Sequence, residues 1–233
     1  MWAVVTGATK GIGLAIAEKL AENKVNLIVC SRNSNDLDKM KKSFAEKYHG
    51  TVLVTCKADL SKKEDISTFA TIVQEFCESP DILINNAGIF LSGSLSEEPD
   101  DHLPQMMNTN LYSAYYLTKH LLSGMVARKK GHIINMCSIA SKIAYPNGGS
   151  YSISKFALLG FTKVLREELK STGIKVTAIL PGATWSDSWR GVELPQERLI
   201  EAQDIAHSVW NIIELGPSCV VEEIILRPQL GDL

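Results

Sequence analysis

The stretch "WAVVTGATKGIGLAIAEKLAENKVNLIVCSRN", residues 2–33, decides the fold. Trp2–Thr6 is a short apolar run, and Gly11–Glu22 repeats its apolar positions at helical spacing. Val25–Ser31 is a second apolar run, so the order is strand, glycine turn, helix, strand. A helix between two neighbouring strands joins them in parallel. In "TGATKGIG", Thr6–Gly13, Gly7 allows a sharp turn, Gly11 lets the backbone approach a pyrophosphate, and Gly13 lets the helix pack closely on the sheet. The helix amino terminus then faces the phosphates. The spacing is G-x-x-x-G-x-G, not G-x-G-x-x-G. A glycine turn by itself also serves as a plain tight connection.

The same alternation continues outward. Thr51–Lys57, Ile82–Asn85, His132–Ser138, Lys175–Leu180 and Cys219–Leu226 are further strand-like runs. Helical patterns cover Asn35–Tyr48, Lys62–Glu78, Leu103–Arg128, Ser150–Ser171 and Ala202–Glu214. "SKKE", residues 61–64, predicts a capping box between Ser61 and Glu64. The pattern predicts an α/β fold: a doubly wound parallel sheet of about seven strands with helices on both faces. No repeat or linker interrupts it, so residues 1–233 are expected to form one domain. The least regular stretches, 88–102 and 181–201, follow strands at their carboxyl ends, where such sheets place ligands.

Composition narrows the function classes. With 45% hydrophobic and 21% charged residues the chain has the makeup of a soluble globular protein. A net charge of −2 and no long basic run leave no footprint for nucleic acid or a membrane surface. The longest apolar runs are too short to span a bilayer, and with the first strand beginning at once no signal peptide is expected. Cys30, Cys56, Cys77, Cys137 and Cys219 include no C-x-x-C pair, which predicts buried, reduced thiols in a cytoplasmic protein. The scattered histidines predict no metal site.

Two further places carry chemistry. The second strand ends "IVCSRN", with Ser31 where NAD-preferring sites usually carry an acid, and Arg32 next. Arg32 is a planar donor suited to a 2′-phosphate, and Lys10 adds a second cation; either is otherwise a solvated surface residue. Asp36 lies beyond the strand, too far on for the ribose acid. In "GGSYSISKFALLG", residues 148–160, Tyr151 and Lys155 lie one helical turn apart on one face. By itself that spacing also describes a surface pair.

"NNAG" at 85–88, Ser138, Tyr151-x-x-x-Lys155 and "PG" at 181–182 follow the glycine turn in chain order. In this combination the chain resembles the short-chain dehydrogenase/reductase family over essentially its whole length. The resemblance implies a single-domain Rossmann-type sheet and an NADP(H)-dependent reductase of carbonyl groups. It implies that Tyr151 protonates the substrate oxygen, Lys155 lowers the tyrosine pKa and binds the nicotinamide ribose, and Ser138 hydrogen-bonds the carbonyl. Asn110 in "MNTNLY" is then the asparagine that holds a water on the proton relay. Cofactor contacts are implied at Gly7, Thr9, Lys10, Gly11, Ile12 and Gly13, at Ser31 and Arg32, and at Asp59 and Leu60. Further contacts are implied at Asn86, Ala87 and Gly88, at Tyr151 and Lys155, and at Pro181, Gly182, Thr184 and Ser186. "PGATWSD" departs from the family pattern, with Thr184 and Ser186 in place of an apolar residue and a threonine.

The residue types suit the chemistry. Hydride arriving at a carbonyl carbon leaves negative charge on oxygen; Ser138 can stabilise it and Tyr151 can quench it. "GHIINMCSIAS" resembles the β-ketoacyl-carrier-protein reductases, but their "DGG" ending is absent. "PGATWSDSWRG" and "VVEEIILRPQLGDL" are more similar to bacterial sepiapterin reductases, implying a pterin side-chain carbonyl. Trp185, Trp189 and Asp232 are then candidate substrate contacts, the tryptophans offering flat faces. A loop tryptophan is otherwise a packing or oligomer-contact residue. A carrier-protein substrate would instead need basic residues at the mouth, with Lys142, Arg190 and Arg198 the candidates. A catalytically silent NADP-binding protein is the alternative of another class, although it would be expected to have lost Tyr151, Lys155 or Ser138. Surplus apolar residues on the helices at 103–128 and 150–171 predict a homodimer or homotetramer.

Overall fold

The computed structural model describes residues 1–185 and 194–231. Among these residues seven strands form one parallel sheet: β1 Trp2–Thr6, β2 Asn26–Ser31, β3 Leu53–Lys57, β4 Ile82–Asn85, β5 Gly131–Met136, β6 Ile174–Pro181 and β7 Glu223–Leu226. Their order is β3-β2-β1-β4-β5-β6-β7, which reverses direction between β1 and β4. The crevice at such a reversal is where open α/β sheets bind ligands.

The helices are α1 Gly11–Glu22, α2 Ser34–Lys47, α3 Lys63–Cys77, α4 His102–Met106, α5 Ser113–Arg128, α6 Gly149–Leu169 and α7 Ala202–Ile213. Alternate strand residues serve opposite faces, the two-residue period of a pleated strand. Ala3, Val5, Leu27, Val29, Ile82 and Ile84 pack under α1, α2 and α7. Val4, Ile28, Leu83, Ile133 and Val176 pack under α3, α5 and α6. Strands covered on both faces have continuous apolar sequences, so a strictly alternating polar pattern is absent.

Four expectations change. The helix anticipated over Leu103–Arg128 contains a π-helical segment, Met107–Tyr112, between α4 and α5. Such a segment adds a residue to one turn and re-aims the side chains inside it. The capping box at 61–64 does not form: α3 has no side-chain cap, and the Ser61 hydroxyl and N–H donate to Asp59 Oδ1 at 2.8 and 3.1 Å. β7 begins at Glu223, not at Cys219, because Cys219 N–H closes a turn onto Gly216 O at 3.2 Å. Cys219 is exposed, and Cys56 and Cys77 are half-buried; only Cys30 and Cys137 are buried, and all five are free thiols.

Candidate active site

A cleft of about 1180 Å³ runs along the carboxyl ends of β1, β2, β4, β5 and β6. Its floor is the turn between β1 and α1, where Gly7 and Gly11 hold φ of +63° and +51°. That left-handed region carries a steric cost for residues with a Cβ. A Cβ on Gly13 would lie 2.3 Å from Gly7 O and 2.4 Å from Asn86 Nδ2, so helix and turn touch there. The Asn86 amide clamps the turn, donating to Thr6 O at 2.9 Å and Gly7 O at 3.1 Å. Thr6 Oγ1 accepts from Asn86 N–H and Ala87 N–H, both at 2.9 Å. Asn85 lies behind, its amide donating to Thr118 Oγ1 and Asn135 Oδ1. The "NNAG" segment thus ties β4 to the glycine turn.

At one end of the cleft lie Ser31, Arg32, Asn33, Asp36, Asp59 and Leu60. Ser31 Oγ accepts from Thr9 Oγ1 at 3.1 Å, joining the glycine turn to the end of β2. Asp36, set aside as the ribose acid on its sequence position, also lines this end. It pairs with Lys10 at 3.7 Å. Burial alone would raise the Asp59 carboxyl, but hydrogen bonds from Ser61 and the charges of Arg32 and Lys62 bring it below its usual range. No acid stands at position 31, and Arg32 lines the cleft.

The other end holds Ser138, Tyr151 and Lys155 together. Ser138 follows β5 and starts a short 3₁₀ turn, accepting from Ala140 N–H at 3.1 Å. Its side chain lies close enough to the Tyr151 phenol to favour the ionised form. Lys155, one turn of α6 beyond, is buried and donates to Met136 O at 2.8 Å. Burial pushes its ammonium down to about 8. The Tyr151 phenol is raised from its ordinary value, by burial first, with Ser138 opposing. The expected lowering by Lys155 is therefore not the dominant effect in this pair.

Asn110 sits in the π-helical segment and is 1% exposed. Its amide donates to Ile89 O at 3.0 Å and Ser154 Oγ at 2.9 Å, while Oδ1 accepts from Ile89 N–H at 2.7 Å. Both amide hydrogens are committed, so the side chain braces the loop after β4 against α6, and it does not line the cleft.

Gly7, Thr9, Lys10, Gly11, Ile12, Gly13, Asn86, Ala87, Gly88, Pro181, Gly182 and Thr184 all line the cleft as expected. Trp185 does not line it; its N–H bonds Ile200 O at 3.0 Å. Ser186, Trp189, Arg190 and Asp232 lie outside the described residues. Aromatic surface comes instead from Phe90 and Tyr145, which the sequence reading missed. Phe90 meets the Tyr151 ring edge to face, with centroids 4.9 Å apart. Both lie on loops without periodicity, although an aromatic residue between Ser138 and Tyr151 was a usable signal. Among the described residues no cluster could hold a metal ion.

Comparison with known proteins agrees with this geometry. The short chain dehydrogenase family model matches residues 1–196. A sepiapterin reductase of Chlorobaculum tepidum is 33% identical, covering 99% of this chain and 97% of its own. An alcohol dehydrogenase of Thermococcus sibiricus, solved with 5-hydroxy-NADP, superposes with a TM-score of 0.91 at 26% identity, covering 100% and 98% of the two chains. An actinorhodin polyketide ketoreductase solved with NADPH gives 0.88 at 29% identity, covering 100% and 97%. The glycine turn and the seven-stranded parallel sheet agree with these likenesses, and the chain belongs to the short-chain dehydrogenase family of oxidoreductases.

Proposed function

We propose that this protein is an NADPH-dependent reductase that converts a carbonyl to an alcohol. The observation that carries the reading is the convergence of Ser138, Tyr151 and Lys155 at one end of a cleft floored by a glycine turn. The turn fits a pyrophosphate, because Gly7, Gly11 and Gly13 line the cleft where the turn leads into the amino terminus of α1. Arg32, with Lys10 nearby, would meet a 2′-phosphate, and Asp59 and Leu60 would flank the adenine. Gly182 and Thr184 would meet the carboxamide end, and Lys155 the nicotinamide ribose. When bound, NADPH supplies hydride to the carbonyl carbon. Ser138 donates a hydrogen bond to the carbonyl oxygen and stabilises the charge that develops there. Tyr151 then gives its phenolic proton to that oxygen. The buried Lys155 ammonium stabilises the resulting phenolate, and Asn110 holds the loop after β4 against α6.

For the substrate we favour a pterin-like side-chain carbonyl. The 33% identity to a sepiapterin reductase supports it. So does the lining of Phe90, Ile139, Ile143 and Tyr145, an apolar and aromatic wall suited to a flat ring. A β-ketoacyl thioester is the second reading, favoured by the likeness to a polyketide ketoreductase. Of its basic docking candidates, Lys142 is already paired with Glu223, which weakens an acidic-carrier surface. NADPH oxidation measured with sepiapterin and with an acetoacetyl thioester separates the two. Turnover of the thioester alone would replace the pterin reading, and turnover of neither, with NADPH still bound, would favour the silent cofactor-binding protein.

We further propose one domain, a cytoplasmic location and a homo-oligomer built on α5 and α6. Those helices leave Tyr115, Val126, Ile153, Phe156 and Val164 exposed. A monomeric mass in solution would contradict the assembly.

A further inference from the structure

The helix that carries Tyr151 and Lys155 has no cap of its own. α6 is preceded by Gly148, which has no side chain to accept its first N–H groups. The acceptor comes from 52 residues upstream. Glu98 Oε2 accepts from Ser150 N–H at 3.4 Å, and Glu98 Oε1 accepts from the Ser150 hydroxyl. A carboxylate at a helix amino terminus meets both the free N–H groups and the positive end of the helix dipole.

The surrounding backbone is shaped around this contact. A Cβ on Gly149 would lie 2.9 Å from Glu98 Oε2 and 2.8 Å from Gly93 O. A Cβ on Gly93 would lie 2.7 Å from Glu98 Cβ. Gly93 pairs with Gly148 in an isolated bridge, and its N–H donates to Asn147 O at 3.1 Å. The "GG" before Ser150 is thus the seat for the loop that follows β4. That loop also carries Phe90, whose ring meets Tyr151.

We propose that Glu98 is a positioning residue for the reaction: by capping α6 at Ser150 it fixes the neighbouring Tyr151 and the Phe90 loop in one arrangement. The proposal rests on the reading of Tyr151 as proton donor. Glu98 does not line the cleft, so its loss acts on proton delivery and substrate placement more than on cofactor affinity. A misplacement of about 1 Å at a reacting group costs on the order of a hundredfold in rate.

The test compares Glu98→Ala, Glu98→Gln and Tyr151→Phe with the parent protein, using NADPH and sepiapterin, or an acetoacetyl thioester if only that is turned over. Glu98→Ala is expected to lower kcat roughly ten- to a hundredfold and raise KM, with the NADPH Kd within about threefold of the parent. Glu98→Gln, which keeps an acceptor oxygen, should recover most of the rate. Hydrogen exchange of residues 149–154 should also quicken at least tenfold in Glu98→Ala, a readout that needs no substrate. Parent-like kcat, KM and exchange in Glu98→Ala would overturn the proposal, as would an equal loss of NADPH affinity in both Glu98 variants. Near-parent activity in Tyr151→Phe would overturn the functional reading instead.

Discussion

Lys155 Nζ donates to the Met136 carbonyl oxygen at 2.8 Å, and its ammonium stands 5.8 Å from the centre of the Tyr151 ring. One strand end therefore sets the height of the ammonium beneath the phenol. Burial holds this lysine near 8, well below an ordinary lysine, so it loses its proton as pH rises through that value. The phenol is shifted the other way and keeps its proton across the same range. The expected result is that kcat/KM for reduction falls as pH rises above about 8, and that Lys155→Met abolishes this limb along with most of the activity. A parent profile flat from pH 7 to 10 would contradict it.

Asn86 and Gly13 make a second prediction. With only 2.3 Å from a Gly13 Cβ to Gly7 O, Gly13→Ala must move α1 off the sheet or break the Asn86 clamp. NADPH affinity should fall at least about tenfold, with a lower melting temperature, because the phosphate cradle and the α1 packing are one structure. An NADPH Kd within twofold of the parent would show that the turn tolerates the methyl group.

How far the sequence carried these features depends on whether they are local. β1 and β4 begin and end where their apolar runs do, and the glycine turn lies between β1 and α1 as its spacing requires. Tyr151, Lys155 and Ser138 are legible because one turn of helix and one strand end fix them. The π-helical segment is not legible, since Met107–Tyr112 keeps an apolar pattern and the extra residue follows from Asn110 reaching Ile89 and Ser154. The cap at 61–64 is overridden by a neighbour: Asp59 takes Ser61 into its own turn, and Asp65 takes the Asp59 N–H at 2.8 Å. Glu98 and Phe90 reach their partners only through tertiary contacts between loops, which no local pattern encodes.

Away from the cleft, His132 on β5 is buried, with Nε2 2.8 Å from Thr177 Oγ1. Thr177 donates its hydroxyl proton to Val221 O at 2.6 Å, which leaves Nε2–H as the donor of the neutral ring. Burial, helped by the Lys175 charge, lowers this histidine from 6.5 to about 4. The unfolded chain therefore takes up the proton first as pH falls. The stability this group contributes is fully present above about pH 6.5 and is lost progressively towards pH 4, amounting to about 3 kcal/mol. His132→Asn should be less stable at neutral pH yet show a shallower decline between pH 6.5 and 4 in urea unfolding. An unchanged slope would remove His132 from the account.

Arg32 bears on cofactor choice. Replacing it by Ala should weaken NADPH roughly ten- to a hundredfold, the scale of a charged hydrogen bond, and leave NADH nearly unchanged. The Asp36–Lys10 pair beside it tempers the local positive charge, so the discrimination depends chiefly on Arg32. Equal Kd values for NADPH and NADH in the parent protein would contradict this assignment.

The proton donor is the centre of the account, and Tyr151→Phe tests it most directly. The substitution removes the phenolic hydroxyl and keeps the ring against Phe90, so packing and cofactor binding should persist. Measured side by side, the NADPH Kd should stay within about threefold of the parent while kcat falls by roughly two to four orders of magnitude. A variant that binds NADPH and still reduces its carbonyl substrate at near-parent rate would show that Tyr151 is not the acid.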